Sequence, residues 1–111
     1  MKISFTNNKL KKILSNETKC IKVYGSRATK IIMQRLDDMY DADCLEDLRN
    51  LPGRYHELVE DRKGQWACDL VHPYRLIFTP EERPIPTDNN GKYIWIKINA
   101  VIIIEIVDYH E

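Results

Sequence analysis

At 111 residues and 43% apolar, the chain has the length of one domain with one modest core, too many apolar residues for disorder, and no apolar run near the roughly 20 residues of a membrane span. Three cysteines, Cys20, Cys44 and Cys68, in no paired CxxC spacing, argue against a disulfide framework and against a zinc site. The net charge of zero conceals a division: residues 1–36 hold nine Lys or Arg against one acid, residues 37–61 two against nine, and residues 62–111 six against seven.

The segment "KISF" alternates as a short opening strand does. In "NNKLKKILS", Leu10, Ile13 and Leu14 take helical spacing behind an Asn7 or Asn8 cap. "RATKIIMQRLDDMYDA" repeats Ala28, Ile31, Ile32, Arg35, Leu36 and Met39 with the helical period, with Ser26 as its expected cap. "CLEDLRNL" adds about two turns before Pro52-Gly53 ends them. Beyond Gly53 the period changes to that of strands. "YHELVE", "QWACDLV" and "YRLIFT" are short, rich in β-formers and separated by turn signals, so they should pair antiparallel. "PEERPIPTDNNGK" reads as a loop, "YIWIKI" as either strand or helical turn, and "AVIIIEIV" as the strongest strand of the chain. The expected fold is α+β: two N-terminal helices packed on a curved, mainly antiparallel sheet, in one domain spanning residues 1–111. The opening "MKISFTNNKLKK" lacks an apolar signal core, so a soluble cytoplasmic protein with no membrane partner is expected.

Chemistry concentrates at a few positions. The final strand, apolar except for Glu105, ends on Asp108, Tyr109 and His110. His56 opens the first strand of the meander, Arg75 sits inside "YRLIF", and Arg62 and Lys63 lie on a turn as candidate RNA contacts. Two imidazoles and an arginine suit transesterification of RNA. One base removes the 2′-hydroxyl proton, one acid protonates the leaving 5′-oxygen, and a guanidinium stabilises the phosphorane. No metal and no other cofactor is expected, because no spacing supplies about three ligands. Each residue also has an ordinary reading: a surface histidine at His56, a frayed tail at 108–110, and an Arg75 whose stem covers the sheet.

"HELVEDRKGQWACDLVHPYRLIF" followed by "EIVDYH" resembles the HigB branch of the RelE/ParE toxin superfamily, mainly over residues 53–111. The resemblance implies a RelE-like fold and an mRNA interferase, the toxin of a type II toxin–antitoxin system, that cuts messages in the ribosomal A site. It implies a cognate HigA-like helix-turn-helix antitoxin, with operator DNA reached only through that antitoxin. Residue by residue, His56 matches the family's histidine before the "DRKG" turn, Arg75 its sheet arginine, and Asp108, Tyr109 and His110 its C-terminal catalytic cluster. The family's range leaves two other functions open. One is a ParE-like inhibitor of DNA gyrase without chemistry of its own. The other is a degenerate toxin acting only as an antitoxin-binding co-repressor.

Overall fold

The computed structural model describes residues 1–108. Three helices, one more than the sequence pattern predicts, precede the meander: α1 (Asn8–Leu14), α2 (Glu17–Tyr24) and α3 (Ser26–Asp41). Asn7 caps α1 by accepting from Lys9 N and Leu10 N at 2.8 and 3.1 Å. Asn16 does the same for α2, accepting from Lys19 N at 3.1 Å. The sequence hid α2 because Cys20 is its single buried residue, so it lacks an apolar stripe. Gly25 ends α2 and caps α3 with φ +90° and ψ 164°, a conformation reserved to glycine. It takes the place expected of Ser26, which is the first helical residue. α3 buries Thr29, Ile32, Leu36 and Met39, the three-to-four residue spacing of one helix face.

The sheet contains β1 (Lys2–Phe5), β2 (His56–Glu57), β3 (Trp66–Asp69), β4 (Tyr74–Pro80) and β5 (Ala100–Asp108), in the order β1-β5-β4-β3-β2. β2 to β5 pair antiparallel with their neighbours, while β1 runs parallel to β5 at one edge. The strand expected over "YHELVE" is cut to two residues. Glu60 adopts φ +57° and starts a 3₁₀ turn at Glu60–Arg62, which breaks the ladder. "CLEDLRNL" is a 3₁₀ turn at Leu45–Asn50, and the ambiguous "YIWIKI" contains another at Trp95–Lys97.

One sheet face meets the helices. Trp66, Cys68, Leu76, Phe78 and Ile103 point there and join Ile32, Leu36 and Met39 in the core. The opposite, outer face carries His56, Ala67, Asp69, Arg75, Ile77 and Glu105 by strand alternation and register. An irregularity in the β4–β5 pairing makes this possible. Phe78 pairs with Ile103 but Ile77 pairs with Glu105, so Ile104 is an extra residue. In a regular strand Ile103 and Glu105 would share a face. The bulge lets Ile103 be fully buried in the core while Glu105 turns outward. No helix of the described residues is long and apolar enough to cross a membrane.

Candidate active site

The outer face has an apolar floor and a charged rim. Ala67 and Ile77 are fully buried at its centre yet stand apart from the core between sheet and helices. Polar side chains close over them in two rows. In the first row Arg54 donates to Asp69 from Nε at 2.8 Å and from a terminal nitrogen at 3.4 Å. Arg75 Nε lies 3.2 Å from Asp69 Oδ1, the oxygen that also accepts from the terminal nitrogen of Arg54. Two guanidinium groups thus share one carboxylate at the sheet surface. Arg75 is the more enclosed of the two, with its side chain 23% exposed against 62% for Arg54. The second row runs His56–Ala67–Ile77–Glu105 across β2, β3, β4 and β5. Glu105 pairs there with Arg62 at 3.5 Å, and Arg62 also donates to Gln65 Oε1 at 2.9 Å. Arg83 reaches the same face by donating to Thr79 Oγ1 at 2.7 Å.

His56 lies on β2, two strand spacings from Arg75 on β4, or roughly 10 Å between backbones. Its Nδ1 is 2.6 Å from the Arg54 carbonyl oxygen. A carbonyl only accepts, so Nδ1 carries the proton and donates. In the neutral ring Nε2 is then the lone-pair nitrogen, the form a general base requires.

The floor is held from behind. Arg35 on α3 donates from Nε to the Asp69 carbonyl at 2.8 Å, and Asp69 N donates to the Gly53 carbonyl at 2.7 Å. A Cβ at Gly53, where φ is +116°, would lie 2.5 Å from Arg35 Nε, so the close crossing needs glycine. Tyr55 donates its hydroxyl to the Arg35 carbonyl at 3.1 Å. Burial pushes both the Tyr55 phenol and the Cys68 thiol well above their ordinary pKa values. These groups stay neutral and structural. Among the described residues no group of three or more His, Cys, Asp and Glu is placed to hold a metal ion.

The structure brings His56, Arg62 and Arg75 to one face. It sends Lys63 elsewhere: the ammonium lies 5.7 Å from the centre of the Tyr93 ring, in a recess beyond the β2 edge. Asp108 pairs with Tyr74 at the end of β5, and alternation from Val107 turns it to the helix side. Tyr109 and His110 lie outside the described residues. The sequence reading missed Arg54, Asp69, Arg83 and Glu105 as parts of the face. Only Glu105 had a usable signal, as the one charge in an apolar strand.

No protein-family model matches the chain, and no curated protein matches it. Among solved structures, a chain of the YoeB–YefM complex from Staphylococcus aureus is similar in fold, with a TM-score of 0.58. The identity is 16%, over 100% of this chain and 98% of that chain. The likeness covers the helices and the whole sheet and fixes the α+β architecture.

Proposed function

We propose that this protein is the toxin of a type II toxin–antitoxin pair, a ribosome-dependent mRNA endoribonuclease of the RelE-like kind. Full-length likeness in fold to a chain of the YoeB–YefM complex supports that level of description and does not single out the HigB branch. That the similar chain comes from a two-protein complex supports a paired antitoxin partner. The observation that carries the chemistry is His56 with its Nδ1 committed to the Arg54 carbonyl, on the same face as the Arg54–Asp69–Arg75 cluster.

On this reading, an RNA strand lies across the outer face. His56 Nε2 accepts the 2′-hydroxyl proton, and the oxygen attacks the adjacent phosphorus. Arg75, with Arg54 beside it, stabilises charge on the phosphorane oxygens. Asp69 holds both guanidiniums in place. Arg62 contacts the neighbouring phosphate. His110, assigned by the sequence resemblance, supplies the proton to the leaving 5′-oxygen. The bond from phosphorus to the 5′-oxygen breaks, leaving a 2′,3′-cyclic phosphate and a 5′-hydroxyl.

Sequencing of RNA 5′ ends after induction tests the proposal. Discrete cuts within translated codons, with 5′-hydroxyl ends, are expected for the parent and not for His56→Ala. Cleavage of a message with a 2′-deoxy sugar at the cut site would falsify the mechanism. Growth arrest that His56→Ala and His110→Ala both leave unchanged would shift the function to a non-catalytic inhibitor, such as one that binds gyrase.

A further inference from the structure

Beyond the β2 edge, on the helix side of the sheet, lies a recess that the acid–base reading does not use. Glu57 follows His56 in a strand, so its side chain turns away from the outer face. It meets a cavity of about 640 Å³ between the Leu45–Asn50 turn, the β2 edge and residues 91–96. That is within the roughly 300–1,000 Å³ of small-molecule pockets. Tyr93 and Trp95 line it, with ring centres 5.0 Å apart and planes inclined at 52°. The Trp95 indole N–H donates to Glu57 Oε2, and Arg49 donates to the same oxygen at 3.4 Å. Arg49 is fixed in turn by Glu46 at 3.0 Å and by the Trp66 ring, whose centre is 4.6 Å from the guanidinium carbon. Glu57 Oε1 receives no hydrogen bond from the described residues. Lys63 and Lys92 stand on the wall, and among the described residues neither enters an ion pair.

We propose that this recess binds an unpaired guanine nucleotide of the RNA that crosses the outer face, an inference that rests on the nuclease reading above. Tyr93, only partly buried, is the ring that can offer a face to an unpaired base, a contact single-stranded RNA recognition uses widely, while Trp95 is buried in the core and contributes its indole N–H to Glu57. The carboxylate sets the base. It can only accept, so it selects an edge rich in N–H groups. Guanine carries two adjacent donors, N1–H and the 2-amino group. Adenine and cytosine place a ring acceptor beside their amino group, and uracil flanks its one N–H with two carbonyls. The lysines suit the attached phosphate. Exposed Val59 and Ile96 at the mouth, 71% and 67% accessible, would also fit an apolar anchor from a protein. Covering Glu57, Arg49 and Lys63 with an apolar side chain would leave their charges desolvated, which favours the nucleotide. Because His56 and Glu57 are adjacent, one bend of the RNA around the β2 edge joins cleft to recess.

The test is titration of the full chain with GMP, IMP, AMP, CMP and UMP, read by calorimetry and by tryptophan fluorescence. GMP should bind about tenfold more tightly than AMP, CMP or UMP, with IMP between them because it lacks the 2-amino group. Glu57→Gln should bring GMP to the level of the others with the circular dichroism spectrum unchanged. Equal affinity for all five nucleotides would overturn the proposal. So would no saturation up to about 10 mM, a GMP preference that survives in Glu57→Gln, or one abolished by Arg75→Ala. His56→Ala should bind GMP as the parent does. A chain that prefers GMP through Glu57 but cuts no message would fault the nuclease reading and leave the recess standing.

Discussion

A histidine on a strand edge is usually unremarkable, and what distinguishes His56 is the commitment of Nδ1 to the Arg54 carbonyl. Truncation to Ala should lower the cleavage rate by about 10²–10⁴, the usual contribution of a positioned base. His56 is only partly buried, so the loss in stability should be near 0.5 kcal/mol. Growth arrest, single-turnover cleavage and a thermal melt on the same variant separate the two effects. Arg75→Lys keeps a charge but loses the planar fork beside Asp69, so the rate should fall while the melt hardly moves. A parental rate in Arg75→Lys would remove Arg75 from the phosphorane. Behind the face, Cys68 and Tyr55 make a separate prediction about pH. Desolvation raises both pKa values from ordinary values of 9.0 and 10.0. The folded chain therefore holds these protons more tightly than the unfolded chain does. Their contribution is complete below pH 9 and is lost as pH rises beyond it towards the raised folded values. Urea melts should show stability declining above about pH 9, with a shallower decline in the Tyr55→Phe, Cys68→Ala double variant.

At the scale of elements, local chemistry decided what the sequence disclosed. α3 and β5 were legible because each buries residues at its own period. The meander was legible because turns punctuate it. α2 was not, because a helix with Cys20 as its one buried residue looks like a polar linker. The parallel pairing of β1 with β5 was beyond a pattern argument, since it joins the two ends of the described chain. The site was half legible for a related reason. Residue type pointed to His56 and Arg75, but their partner Asp69 becomes special only when β3 and β4 are in register. Glu105 reaches the outer face only because Ile104 is bulged. The joint between α2 and α3 gives this scale its test. At Gly25 a Cβ meets nothing within 4 Å, so the cost of Gly25→Ala is that of the backbone conformation alone. That cost is about 1–3 kcal/mol. Asn16→Ala, which removes only a cap, should cost about 1 kcal/mol. A Gly25→Ala chain that melts with the parent would mean the two helices can be joined without this conformation.

The whole molecule is neutral but polar along its sequence, which bears on the RNA contact proposed above. Lys9, Lys11, Lys12, Lys19, Lys22 and Lys30 are exposed on the helices, whereas Asp37, Asp41, Asp47, Glu60 and Asp61 are exposed on the segment that follows. On the outer face, Asp69 and Glu105 offset part of the charge of Arg54, Arg62, Arg75 and Arg83. Four cations against these two acids set an upper bound of about two charges that can displace counterions from an RNA strand. With about 0.7 of a log unit per phosphate on single strands, the affinity for free RNA should fall with salt at a log–log slope no steeper than about −1.4. Such binding is weak at physiological ionic strength, and it fixes neither the register nor the in-line geometry that 2′-hydroxyl attack demands. On the proposed function the ribosome supplies both by holding the message, and alignment of reacting groups is worth many powers of ten. The same message should therefore be cut at least about 10³-fold faster in a programmed ribosome than free in solution. Single-turnover rates on the two substrates, at equal salt and with His56→Ala as the blank, decide the matter. Comparable rates would make the protein a general ribonuclease whose own surface positions RNA. A steep salt slope on free RNA would locate that surface on the lysines of α1, α2 and α3.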